Sequence, residues 1–242
     1  MLGLRVGSTA PQLLTIFLIS STFGALAFLY SFFGIISNET THRFDTFGSL
    51  TPQEIGGHFL FGYVVGLPTR NLKMAVLSGL MALTIDADHI LNAAGFDIQG
   101  RMGHSVSFAV LSSVLMGFIA TQFFRKKLVW KKIVIPTPTL AASSSRTVEK
   151  AVANTYNSLS PAEKLYIIFF QFLIITLAAY LSHIAYDVFV GAGANFPLLA
   201  PFNFSDVFIP QMYALPIEGV GILIVYLWYS VTARKKMISN QR

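Results

Sequence analysis

The residues Ile85-Asp86-Ala87-Asp88-His89 and, after a Gly-containing connection, Arg101-Met102-Gly103-His104-Ser105 decide how this chain is read. They place two carboxylates, two imidazoles and a guanidinium within twenty-one residues, between two strongly apolar runs. Ionisable groups at the end of a membrane-grade helix are costly, so such positions are functional candidates from the outset. Working outward, the run before the first cluster predicts a helix from Asn71 or Leu72 to Asp86. The run after the second predicts a helix from about His104 to Phe124.

Composition sets the class. Hydrophobic residues make up 54% of the 242 positions and charged residues only 12%, with a mean hydropathy of +0.62. A soluble domain carries roughly 25% charge. So few charges could not coat a soluble surface of this size, which predicts an integral membrane protein. Cysteine is absent, so a metal site would have to use imidazole and carboxylate.

Four further helices follow from the apolar pattern. One spans about Gln12 to Ile36, long enough to cross the ~30 Å hydrocarbon core, and is read as retained rather than cleaved. A second opens at the capping box Thr51-Pro52-Gln53-Glu54 and ends near Leu67, short for a full span. Another starts at a second box, Ser160-Pro161-Ala162-Glu163, and runs to Val190. The last spans Leu215 to Thr232. The fold class expected is therefore all-α: one membrane domain over residues 1–242, a bundle of about six transmembrane helices. Residues 125–163, with Arg125-Lys126-Lys127, Lys131-Lys132, Pro136, Pro138 and a serine run, are expected to be a basic, partly disordered loop, with a short helix near Val148–Tyr156.

Charge orients the bundle. The two most basic segments, 125–164 and Arg234-Lys235-Lys236, belong on the cytoplasmic side, and two helices lie between them. Counting back puts both termini inside, Arg70 and Lys73 inside, and the 90–103 loop outside. The excess of basic residues is thereby accounted for as a topology signal, and nucleic acid is not expected as a partner.

The same topology gathers the chemistry at one membrane face. His58 lies early in the second helix, Asp86, Asp88 and His89 close the third, and His104 opens the fourth. His183 is about 22 residues into the fifth, or ~33 Å along its axis. His42 belongs to that side but to a loop. His183 and Asp187 stand at i and i+4 on one helix face, and Asp86 and His89 at i and i+3. Asp88 points elsewhere on a regular helix, so the helix is expected to unwind there. Crowded carboxylates call for a cation, and neutral imidazole is a common transition-metal ligand. More than four His/Asp candidates point to two ions, a site able to activate water and to stabilise the attacking and leaving oxygens of an ester. Arg101 could clamp an anionic oxygen. Ser105 could orient a ligand or cap its helix.

These elements resemble a known family. Gly57-His58, Asp86-Ala87-Asp88-His89, Arg101 to His104-Ser105, Leu181-Ser182-His183-Ile184-Ala185-Tyr186-Asp187 and Phe196-Pro197-Leu198-Leu199-Ala200-Pro201-Phe202 fall in the order of the YdjM-type (DUF457) membrane-bound metal-dependent hydrolases. The likeness covers roughly residues 55–228, leaving the 12–36 helix and the basic loop as additions. It implies kinship with zinc-dependent phospholipase C and P1-type nucleases, hence a helical metal site cleaving phosphoesters. Carried over, His58, Asp88, His89, His104, His183 and Asp187 take metal positions and Asp86 is ligand or base. The family's H-R-G-x-T-H-S element is altered here, since Gly100-Arg101-Met102-Gly103-His104-Ser105 lacks the first His and the Thr. It thereby leaves the role of Arg101 open.

The expectation is a hydrolase of the cytoplasmic membrane holding one to three Zn²⁺ or other divalent ions. It would cleave a phosphoester, lipid-linked or not, at the outer face, with Asp86 or Asp88 as general base. The alternative is a non-enzymatic accessory subunit of a larger membrane complex, with a structural metal or polar site. A transporter fits less well, because the candidates lie near the surface and no repeat is visible.

Overall fold

The computed structural model describes residues 10–37, 51–89, 102–125 and 160–239. His42, Arg101, most of the basic loop and the helix expected near 148–156 lie outside them, as does the side chain of Asp88. Among the described residues there are six α-helices: α1 (Ala10–Ser37), α2 (Pro52–Gly66), α3 (Leu72–Thr84), α4 (Val106–Arg125), α5 (Pro161–Val190) and α6 (Ala214–Ser239). Four segments are long and apolar enough to cross a membrane, namely Leu13–Phe32, Val106–Phe124, Pro161–Val190 and Gln211–Thr232. With 15 and 13 residues, α2 and α3 rise only about 22 and 20 Å.

Local chemistry explains where the helices begin. Thr51 Oγ1 accepts the Glu54 amide at 3.2 Å, with Pro52 at the first helical position. Asn71 Oδ1 accepts the Lys73 amide at 3.0 Å. At α5 the capping box is complete, Ser160 Oγ accepting from Glu163 N and Glu163 Oε2 from Ser160 N. Each cap satisfies an amide that has no intrahelical partner. At its other end α3 tightens into a 3-10 turn over Ile85–Asp88. The backbone therefore departs from the α-helix at the aspartates, by tightening rather than unwinding.

The central element is α5, which packs against α2, α3, α4 and α6, while α1 packs on α3, α4 and the Ile85–Asp88 turn. The buried core runs through Phe23, Met74, Leu77, Met81, Phe108, Met116, Phe172 and Ile175. Large apolar side chains also line the outside, among them Leu14 and Phe17 of α1, Val110 and Phe118 of α4, and Leu223 and Leu227 of α6. Apolar surface on this scale suits lipid rather than water. α6 also buries Glu218, whose carboxyl lies beside the Ser182 hydroxyl of α5, in a geometry where neither group completes a hydrogen bond.

α2 and α3 form the tightest pair, joined by a turn at Leu67–Thr69 and the left-handed Arg70. A Cβ added at Gly62 would meet Ala82 Cβ at 2.5 Å and the Ser78 carbonyl at 2.7 Å, and one at Gly66 would meet Ala75 Cα at 2.6 Å. This Gly-x-x-x-Gly seam lets two backbones touch, which matters in lipid because packing there replaces the hydrophobic drive. Gly62→Val is therefore expected to cost about 1–3 kcal/mol by overpacking, read as a lower thermal midpoint in detergent. An unchanged midpoint would show that the seam is not tight.

The chain is not wholly α. Residues Gly193–Phe196 (β1) and Val207–Pro210 (β2) pair antiparallel, with Gly193 opposite Pro210 and Phe196 opposite Val207. The stretch between the helix expected to end at Val190 and the one expected to start at Leu215 thus contains a hairpin. It docks on α4 through Val106 N donating to Leu198 O at 2.9 Å and Ser107 Oγ donating to Ala200 O.

Candidate metal centre

Four elements deliver the polar side chains to one end of the bundle. α2 carries His58 on its second turn, the 3-10 turn after α3 carries Asp86, and His89 follows it. The short turn Met102–His104 presents His104 just before α4, and the last turns of α5 carry His183 and Asp187. His58, His104 and His183 are buried. Asp86 and Asp187 expose only 8% and 11% of their side chains, and His89 15%.

The ring nitrogens and carboxylates converge. His58 Nε2 lies 3.2 Å from Asp86 Oδ2 and 3.3 Å from Asp187 Oδ1. On the other side, His104 Nε2 is 3.3 Å and His183 Nε2 3.5 Å from Asp187 Oδ2. Asp86 Oδ1 stands 3.3 Å from His89 Nε2, 3.5 Å from His183 Nε2 and 3.8 Å from His104 Nε2. Each carboxylate thus turns one oxygen toward His58 and the other toward the His104–His183 side. Two overlapping sets, His58/His183/Asp187 and Asp86/His104/His183, have donor atoms all within 4.8 Å of one another and can hold a metal ion.

One hydrogen bond fixes the electronics. His183 Nδ1 lies 2.9 Å from the Ala82 carbonyl oxygen. A carbonyl only accepts, so Nδ1 carries the hydrogen, and in the neutral ring Nε2 presents a bare lone pair. That lone pair faces Asp86 Oδ1, Asp187 Oδ2 and, at 2.8 Å, His104 Nε2. The His104 ring can donate its Nε2–H to that lone pair, while the two carboxylate oxygens beside it are acceptors that repel it unless something positive lies between them. An N–H bonded to a backbone carbonyl is also the usual way a metal-binding imidazole is oriented.

The distances choose between a hydrogen-bonded cluster and a coordination shell. Charge-assisted N–H···O bonds run about 2.7–2.9 Å, and the carboxylate–imidazole contacts here are 3.2 to 3.8 Å. Bonds of about 2.1 Å to a tetrahedral Zn²⁺ put neighbouring ligand atoms roughly 3.4 Å apart. The carboxylate–imidazole contacts match the second spacing, whereas His104 and His183 stand at hydrogen-bond distance from each other.

Neighbouring side chains hold the ligands in place. Tyr180 Oη donates to the His104 carbonyl at 2.5 Å, and Phe196 of β1 lies flat on the His104 ring at 5.5 Å. His58 stacks on His183 with centroids 4.1 Å apart and takes the edge of Tyr186 at 4.5 Å. Tyr186 in turn donates to the Gln53 carbonyl at 3.1 Å.

Of the residues proposed from sequence, six come together: His58, Asp86, His89, His104, His183 and Asp187. Ser105 does otherwise. Its hydroxyl donates to Met102 O at 2.8 Å and accepts from Phe108 N at 3.2 Å, so it caps α4. Arg101 and the Asp88 side chain fall outside the described residues. Sequence reading missed Glu54, whose Oε2 lies 3.9 Å from His58 Nε2 and whose side chain is 28% exposed. It had been absorbed by the capping motif, although its i, i+4 spacing from His58 signals a shared helix face.

No protein-family model matches the chain, and no curated protein or solved structure is significantly similar to it. The resemblance to the YdjM-type family therefore stands on its motifs alone.

Proposed function

We propose that this chain is an integral membrane metal-dependent hydrolase that cleaves a phosphoester at the outer face of the cytoplasmic membrane. The observation that carries the metal is the convergence of the bare His183 Nε2 and two nearly buried carboxylates on one point, at ligand–ligand spacing. Asp86 and Asp187 divide their oxygens between His58 and the His104–His183 side, so His58, His183 and Asp187 would hold one ion and Asp86, His104 and His183 another. Zn²⁺ suits this donor set, and three imidazoles with carboxylates would also accept a similar divalent ion.

When bound, the ions supply Lewis acidity toward a phosphoryl oxygen and acidify water. The chain supplies the rest. His58, His104 and His183 hold the ions from the buried side, while His89, Asp187 and Glu54 form the more open rim. Both oxygens of Asp86 face imidazoles, which favours holding ions over proton transfer. Glu54 is the more accessible carboxylate beside His58 and takes the proton. Asp88 stays assigned as a ligand and Arg101 as the clamp on an anionic oxygen. Six crossings with both termini inside put the cluster outside, supported by the basic residues of the 125–164 segment and of the C-terminal tail.

Purified protein is expected to carry one to three equivalents of Zn or a similar metal by elemental analysis, and to hydrolyse a member of a phosphoester panel in a chelator-sensitive way. Natively folded protein with no metal would sink this reading. A second reading, a non-enzymatic subunit of a membrane complex with a structural metal, is favoured by the complete burial of His183 and of His104, which is stacked with Phe196. Stoichiometric partners and no hydrolysis by metal-loaded protein would select it.

A further inference from the structure

The segment joining α5 to α6 has the wrong surface for a loop washed by water. Between Gly191 and Ala214, 24 residues, Asp206 is the single charged side chain. Phe202 is 91% exposed, Met212 74% and Phe208 57%, with Leu199, Val207 and Tyr213 also exposed. Such a cluster of large apolar side chains marks a surface that something covers.

The segment is also held in shape. The β1–β2 ladder fixes its stem, Val106 N and Ser107 tie its middle to α4, and Gln211 Nε2 donates to the Phe189 carbonyl at 2.8 Å. The exposed side chains are therefore displayed by a fixed scaffold. The adjoining helix ends also expose apolar side chains, Phe189 and Val190 at the end of α5 and Leu215, Val220 and Leu223 on α6, on two helices apolar enough to cross a membrane. Aromatic and apolar side chains with few charges at the ends of such helices belong to the boundary between headgroups and acyl chains.

We infer that residues 199–215 form an interfacial anchor seated in the lipid leaflet at the cluster end of the bundle. The same hairpin lays Phe196 on His104, so the anchor sets the depth of the cluster at headgroup level. Resting on the hydrolase reading above, this names the substrate: a phosphoester borne by a lipid of that leaflet, approaching in the membrane plane.

The test places a Phe202→Trp probe in a Trp130→Phe, Trp228→Phe background, reconstituted in phosphatidylcholine vesicles with brominated acyl chains. Bromine near the headgroup end of the chains is expected to quench the probe by about half, with aqueous iodide having little effect. Iodide quenching without bromine quenching would overturn the anchor, as would insensitivity to both with disulfide cross-linking of Phe202→Cys between two copies, which would make a second copy the occupant. A second arm concerns substrate. Phe202→Asp with Phe208→Asp is expected to slow cleavage of a vesicle phospholipid by about tenfold while sparing a soluble phosphodiester. Equal effects on both substrates would overturn the lipid assignment. The quenching arm reads no activity, so it stands or falls even if the wild type cleaves nothing and the hydrolase reading fails.

Discussion

Replacing His183 with alanine is expected to strip the cluster of its metal. His183 belongs to both donor sets, its Nε2 lies 3.5 Å from an oxygen of each aspartate, and the Ala82 carbonyl leaves that nitrogen free of hydrogen. Loss of a residue that merely supports a ligand typically weakens metal binding 10–100-fold, so loss of this shared ligand should cost at least ~100-fold. His89→Ala should cost less, because His89 sits at the rim and belongs to neither of the two donor sets. Metal content after dialysis, with circular dichroism to verify the helices, reads both. A His183→Ala protein retaining its full metal complement would show that the cluster is not a coordination site.

The second large effect is a reversal of sign. In wild-type protein, stripping the metal should lower the unfolding midpoint steeply. An ion at about a thousand times its Kd contributes ~4 kcal/mol to the folded state, and its removal leaves two nearly buried carboxylates facing each other's imidazoles. Asp187→Asn removes one of those charges and one of the carboxylates that would hold an ion. With chelator present the variant should unfold at or above the wild-type midpoint, and with metal present it should unfold well below. Thermal unfolding in detergent, with and without chelator, measures the crossover. Parallel shifts of both proteins would mean that Asp187 serves the fold and not an ion.

Much of this was readable in the chain because two kinds of signal are local. Apolar runs bounded by Thr51-Pro52 and Ser160-Pro161 locate α2 and α5, since a cap is a matter of four adjacent residues. The i, i+3 and i, i+4 spacings of Asp86/His89 and His183/Asp187 place those pairs on common faces for the same reason. What could not be read depends on tertiary partners. The β1–β2 hairpin has strands of only four residues, one carrying a Gly and the other a Pro, too short for a pattern to declare itself, and the connection between them docks on α4. The tautomer of His183 is set by a carbonyl one hundred and one positions away. Glu54 was hidden because one residue serves two purposes, its amide completing a cap while its carboxylate approaches His58. Ser105 had two roles open to it in sequence, and its bonds to its own helix start and to Ser107 select the cap.

The shortness of α2 and α3 has a mechanical consequence for the bilayer. In the proposed membrane placement, α2 and α3, rising about 22 and 20 Å, complete their crossings of a ~30 Å hydrocarbon layer only where it thins by roughly 8–10 Å. The tip of the pair carries exposed Arg70 beside exposed Leu67 and Leu72. On its other flank stands α5, thirty residues and about 45 Å long. So placed, the protein would be a wedge of unequal hydrophobic thickness, and lipid beside the short pair would thin or Arg70 would snorkel to reach water. Such mismatch favours thin bilayers and softens the leaflet next to α2, the helix that carries His58.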